Sequence, residues 1–152
     1  MPAKWRGKCS GVKDGDTIRV MLQGRPQFIQ LYGIDCPEKA QAYGGRAQRF
    51  TASLALGKSV TVFSKGKDRY GRVHAWVFAD SHCINAELVS NGLAWWLRQN
   101  APNEIKLGQL EKQAQDSRRG LWAAPERVAP WQYREHGWGR GNIGIPSGDI
   151  AP

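Results

Sequence analysis

The chain has 152 residues, 41% of them hydrophobic, with 22 Lys and Arg against 13 Asp and Glu, a formal charge of +9. That length suits one domain with a real core. No run approaches the ~18 apolar residues that a bilayer crossing needs, so no membrane partner is expected. Met1–Ser10 is polar and basic and does not read as a signal peptide; a secreted or periplasmic origin stays open if a leader was removed, and the compartment is undetermined.

In chain order, a strand around Arg6–Ser10 is plausible, and Ile18, Val20 and Leu22 alternate with Thr17, Arg19 and Met21 as a half-buried strand does. Gln23–Pro26 reads as a turn, followed by a strand over Phe28–Ile34. Two further strands, Val60–Phe63 and Val73–Phe78, flank the polar stretch Ser64–Gly71. A helix is expected over Gly45–Leu56, with Ala47, Phe50, Thr51 and Leu54 on its inner face, and a short one over Ile84–Ser90, stopped by Asn91–Gly92. A third starts near Pro102, turns Leu107, Leu110 and Ala114 inward and stops at Gly120. Residues 1–134 are expected to form one domain, and 135–152 a flexible Gly-rich tail. The fold class is α+β, mainly β: a five-stranded oligonucleotide-binding (OB) type β-barrel with three α-helices.

Cys9, Cys36 and Cys83 are odd in number, widely spaced and without a C-x-x-C pair, which argues against a zinc ribbon and for free thiols, with one disulfide left open. The positive charge favours polyanions, because each basic group displaces a counterion from a phosphate backbone; it describes a merely solvated surface equally well.

Three short segments carry candidate chemistry. Asp14-Gly15-Asp16-Thr17 and Ile34-Asp35-Cys36-Pro37-Glu38 are acidic turns at strand ends. If they meet, Asp16, Asp35 and Glu38 offer hard oxygen donors suited to Ca²⁺, Mg²⁺ or Mn²⁺. Lys67-Asp68-Arg69-Tyr70-Gly71-Arg72 puts arginines that fork onto phosphate beside a ring for a base or sugar. Taken singly, each segment is equally an ordinary turn.

Together and in this order they resemble the staphylococcal-nuclease-like (thermonuclease) family. Asn85-Ala86-Glu87-Leu88-Val89, Asn91-Gly92-Leu93-Ala94 and Arg118-Arg119-Gly120-Leu121-Trp122 extend the likeness over most of the chain, and Pro130-Trp131 resembles an extension of bacterial members. The resemblance implies a Ca²⁺-dependent nuclease acting on DNA and RNA, single strands preferred, as a monomer, leaving 3′-phosphates. It implies Asp16, Asp35 and the Cys36 carbonyl as Ca²⁺ ligands, Glu38 as the base for the attacking water, and Arg72 on the scissile phosphate and leaving oxygen. Arg69 and Tyr70 would hold a neighbouring phosphate.

Two departures bear on activity. Five residues before Asp35 the family places a phosphate-binding arginine; here Gln30 offers a hydrogen bond without charge or fork. Such a contact is worth about 3 kcal/mol, so the resemblance implies weakened cleavage. Arg19, Arg46 or Lys39 could substitute, or the domain could bind single-stranded nucleic acid without cutting it. Where the family has tyrosines over the nucleotide base, this chain has Trp95-Trp96-Leu97-Arg98; a tryptophan and Arg98 could stack there, although at least one tryptophan is expected in the core.

Overall fold

The computed structural model describes residues 2–124 and 127–136. Strands β1 (Lys4–Asp14), β2 (Thr17–Leu22), β3 (Arg25–Leu31), β5 (Ser59–Lys67) and β6 (Val73–Ala79) form the barrel. Their order is β3-β2-β1-β5-β6, and a parallel pairing of β3 with β6 closes the ring. A short β7 (His82–Cys83) pairs antiparallel with the end of β6, and β4 (Ile34–Asp35) pairs with β8 (Trp95–Trp96) as a separate ribbon. Helices are α1 (Gly44–Ala55), α2 (Ile84–Ser90), α3 (Ile105–Asp116) and α4 (Pro130–His136). Among the described residues no helix is long and apolar enough to cross a membrane.

The barrel interior follows the period of two expected of pleated strands. Along β6, Val73, Ala75, Val77 and Ala79 are buried and the residues between them are half-exposed. Ile18 and Val20 of β2, Ile29 and Leu31 of β3, and Val60 and Val62 of β5 fill the same core. Each fully buried side chain of this kind contributes about 1.5–3 kcal/mol. A second cluster, Trp95, Ala114, Leu121, Trp122 and Ala129 with Trp131 against it, joins the helices to the chain's C-terminal part. All three cysteines are free, Cys9 and Cys36 buried and Cys83 half-buried.

Several expectations need correction. The strand expected over Phe28–Ile34 is two elements, because Gly33 takes φ 81° and turns the chain between them. Pro26 belongs to β3, with the turn at Gln23–Gly24 alone. β5 runs on through the polar stretch to Lys67, past an irregularity between Ser64 and Gly66. α3 begins at Ile105, so Pro102 sits in the preceding turn. There are four helices among the described residues rather than three. α4 takes in residues 135 and 136 of the expected tail, and the rest of that tail lies outside the described residues.

Candidate active site

The two acidic turns meet. Gly15 and Asp16 join β1 to β2, and the turn lies flat against α1: a Cβ on Gly15 would stand 2.8 Å from both Ala47 Cβ and Cys36 Sγ. No other residue allows that approach. Thr51 of α1 donates its hydroxyl to Gly15 O at 2.6 Å, and the Cys36 N–H donates to Asp16 Oδ2 at 2.9 Å. Residues 20 positions apart are thereby tied directly.

Asp35 is fixed from the other side. Its strand pairs Ile34 with Trp96 and Asp35 with Trp95, and Leu97 N–H donates to Gly33 O at 2.9 Å. Asn85, fully buried at the start of α2, donates to Tyr32 O and Ala75 O and accepts from Val77 N–H. This satisfied polar clamp sets where β3 ends and the acidic segment begins.

Two buried carboxylates side by side are costly unless a proton or cation neutralises them. Burial first, then the charge of Asp35, pushes Asp16 well above the usual carboxylate range; Asp14 adds to the rise and the Cys36 N–H opposes it. Burial also raises Asp35, against the hydrogen bond and charge of Arg134, and the charge of Glu38 adds to the rise. Asp14 Oδ1 is buried without a hydrogen-bond partner. Two buried acids with an orphaned carboxylate oxygen beside them suit a hard divalent cation. Among the described residues no group of three or more His, Cys, Asp or Glu side chains is arranged to hold a metal. The buried carboxylates that the cleft could offer a cation are those of Asp16 and Asp35, two side chains only. Burial, then the charges of Asp16 and Asp35, push the Cys36 thiol well up, so the thiol stays protonated, and Cys36 is not among the residues lining the cleft.

Arg72 faces the same cleft, of about 1250 Å³, which is lined by Asp16, Gln30, Asp35, Glu38, Tyr70 and Arg72 among others. Its Nε donates to Asp68 Oδ2 at 2.9 Å and its Nη1 to Gln30 Oε1 at 3.2 Å. Asp68 is the hub of this turn, accepting also from the Tyr70 and Arg72 N–H groups and bonding His74 Nε2 at 2.9 Å. The His74 bond first, against burial, then the Arg72 and Tyr70 N–H groups and the Arg72 side chain, hold the Asp68 carboxyl well below the usual range. Gln30 Oε1 also accepts from the Thr17 hydroxyl at 3.1 Å, so Gln30 braces Arg72 through its carbonyl.

Tyr70, 75% exposed, stands on the cleft wall with the Arg72 guanidinium 5.8 Å from its ring centroid, and the exposed Phe28 is a second apolar wall. Arg69 is not among the lining residues; its guanidinium lies 5.7 Å over the Tyr70 ring. Of the suggested substitutes for an arginine at position 30, Arg19 bonds Ser10, Arg46 covers the Tyr43 ring, and neither these nor Lys39 lines the cleft. Trp95 is buried as expected for one tryptophan, whereas Arg98 is paired with Glu111 and lies over Trp96 outside the cleft. Asp14 had no role of its own within its acidic turn on the sequence, which did not point to His74 or, above all, Arg134. Arg134 donates Nη2 to Asp35 Oδ2 at 2.7 Å and Nη1 to Glu38 Oε1 at 3.4 Å. A Trp-x-Tyr-Arg run after Pro130 hints at a docked helix, but nothing local says where it docks.

Residues 28–124 match the model of the staphylococcal nuclease homologue family. The chain belongs to this family. Among its relatives, a micrococcal nuclease of Shigella flexneri is 36% identical over 142 residues, covering 87% of this chain and 82% of the relative. Protein ParB of Escherichia coli is 35% identical, covering 87% and 80%, and an uncharacterized endonuclease of the same species is 40% identical, covering 84% of each. The family match takes in Asp35, Glu38 and Arg72, while Asp16 precedes it and Arg134 follows it.

Proposed function

We propose that this chain is a Ca²⁺-dependent nuclease that hydrolyses phosphodiester bonds of DNA and RNA, preferring single strands. The observation that carries the reading is the convergence of Asp16, Asp35, Glu38 and Arg72 on one cleft. Family membership supports the nuclease activity. The ion, the strand preference and the individual residue roles are this proposal's own.

Asp16, Asp35 and the Cys36 carbonyl would hold the ion, and a divalent cation there would supply positive charge against the negative charge that builds on the phosphate. Glu38 accepts a proton from the attacking water, whose oxygen bonds to phosphorus. The P–O5′ bond breaks, its electron pair stays on the 5′-oxygen, and that oxygen takes a proton from Arg72 or solvent. A 3′-phosphate and a 5′-hydroxyl result. Arg72, steadied by Asp68 and Gln30, donates two parallel hydrogen bonds to the phosphate. Tyr70 and Phe28 offer faces on which unpaired bases stack, which is why a single strand suits the cleft.

Gln30 brings no charge to the phosphate, so cleavage is slower than with an arginine there by about a hundredfold. The same residue favours a second reading, a binding module that does not cut. The test is incubation with single-stranded DNA in Ca²⁺ and in chelator, with Glu38→Gln as control for contaminating nuclease and Gln30→Arg as a gain-of-rate variant. Cleavage requiring both Ca²⁺ and Glu38 supports the enzyme. Salt-sensitive binding without cleavage under any divalent ion supports the module.

A further inference from the structure

We propose that Arg134 is a substrate-contacting residue of this cleft: its guanidinium, paired with Asp35 and Glu38, transfers to the non-bridging oxygens of the phosphate attacked at Glu38. The inference rests on the nuclease reading above and adds a residue to it. The helix that carries Arg134 is anchored. Trp131 packs edge-on against Trp95 with ring centroids 5.6 Å apart, and Ala129 is fully buried. Gln41 donates to Val128 O and accepts the Glu38 N–H at 3.1 Å, joining the segment before α4 to the Glu38 loop. Trp95 is also the strand partner of Asp35, so one ribbon positions both the acid and the helix.

The arginine itself is half out of the protein, with 47% of its side chain exposed, and grips Asp35 in a fork, Nη2 to Oδ2 at 2.7 Å and Nη1 to Oδ1 at 3.4 Å. That fork matches a phosphate as well as a carboxylate. Nη1 is also 3.4 Å from Glu38 Oε1, where the attacking water would lie. A phosphorus approached by that water sits roughly 3–3.5 Å beyond it, on the cleft that Arg134 also lines. Arg134 holds the Asp35 oxygens that a divalent cation would need, and a guanidinium released from them would find a new partner in the phosphate. Two guanidiniums, Arg72 on one wall and Arg134 on another, surround the developing charge although position 30 is neutral.

Three measurements test this on Arg134→Gln and Arg134→Lys. With saturating Ca²⁺, Arg134→Gln is expected to lower kcat/KM about a hundredfold, with Arg134→Lys recovering only part of it. Adding Gln30→Arg to Arg134→Gln is expected to restore most of the rate. Calorimetric Ca²⁺ affinity without substrate is expected to hold or tighten in Arg134→Gln, because a competitor for Asp35 is gone. In the Glu38→Gln background, where the strand stays intact, Arg134→Gln is expected to weaken binding of a single-stranded oligonucleotide severalfold and to lower the salt slope by about one. A slower enzyme with unweakened Ca²⁺ affinity is a combination that a disturbed fold does not produce. Rates at or above the parent's with unchanged oligonucleotide binding overturn the proposal and leave Arg134 a mere competitor. Joint loss of Ca²⁺ affinity and rate overturns it in favour of a structural role. A parent that never cleaves defeats the nuclease reading instead, and the binding measurement still decides whether Arg134 touches the strand.

Discussion

Arg72 and Arg134 line one cleft, but Arg72 is held by Asp68, four positions away, with Gln30 as a second partner across the barrel, whereas both partners of Arg134 are carboxylates 96 and 99 positions away. The first is fixed within a turn between two barrel strands, where Asp68 collects the turn's N–H groups and side chains around one carboxyl. The second depends on a short helix staying docked against Trp95. A local network forms with little loop-closure entropy and survives distant changes; a remote one inherits every weakness of the contact that carries it. The acidic side of the cleft is remote in the same sense, since Asp16 and Asp35 are brought together by the Cys36 N–H, the Leu31 N–H bond to Asp16 O and the Gly15 approach to α1.

The comparison can be broken most forcefully at the residue between the two arginines. Glu38→Gln keeps the size of the side chain and removes the proposed base, so single-strand cleavage in Ca²⁺ is expected to fall ~10²–10⁴-fold with an unchanged melting temperature. Arg72→Lys keeps the charge and loses the fork; a fall of about a hundredfold in kcat is expected, read from steady-state kinetics.

Smaller effects separate the two sides by pH. Asp16 is an acid whose folded pKa is raised, by burial and by Asp35. Its charge therefore costs stability as pH rises from the ordinary carboxylate range through the folded value. Asp16→Asn removes that cost while an amide oxygen still accepts the Cys36 N–H. In chelator at pH 7 it is expected to stabilise the protein by about 1–2 kcal/mol, some 2–8 °C in Tm, and to abolish the Tm rise that the proposed Ca²⁺ site predicts for the parent. Asp68 is the opposite case, with its folded pKa lowered by His74 and the turn's N–H groups. Its contribution is present above the ordinary value of about 4 and is lost as pH falls through the lower folded value. Asp68→Asn is expected to flatten the acid limb of a Tm–pH profile below about pH 4, and to slow cleavage roughly tenfold by loosening Arg72.

Legibility in the sequence followed the same division. Ile18 and Val20 announced β2, and Ile84–Ser90 announced α2 with its stop at Asn91–Gly92, because periodicity and capping act over a few residues. β1 was harder: its burial pattern along Lys4–Asp14 is irregular, and its register against β2 shifts twice. Gly33 looked like one residue of a strand, yet its positive φ separates β3 from β4 and aims Asp35. Glu111 gave no sign of burial, since a glutamate on a helix is ordinarily solvated; here it accepts Trp96 N–H and pairs with Arg98.

Gln30 shows how far position alone reaches. Its neutrality was plain from the residue type, but its work, bracing Arg72 and accepting Thr17, required the pairing of β3 with both β2 and β6. The sequence by itself determined the chemistry available: two acidic turns, an Asp-Arg-Tyr-Gly-Arg turn, and strands whose alternation demands a closed core. Only the tertiary structure decided which charges meet, because a carboxylate and a guanidinium 99 residues apart interact through a distance that barrel closure and the docking of tryptophans set, and no local spacing encodes that distance.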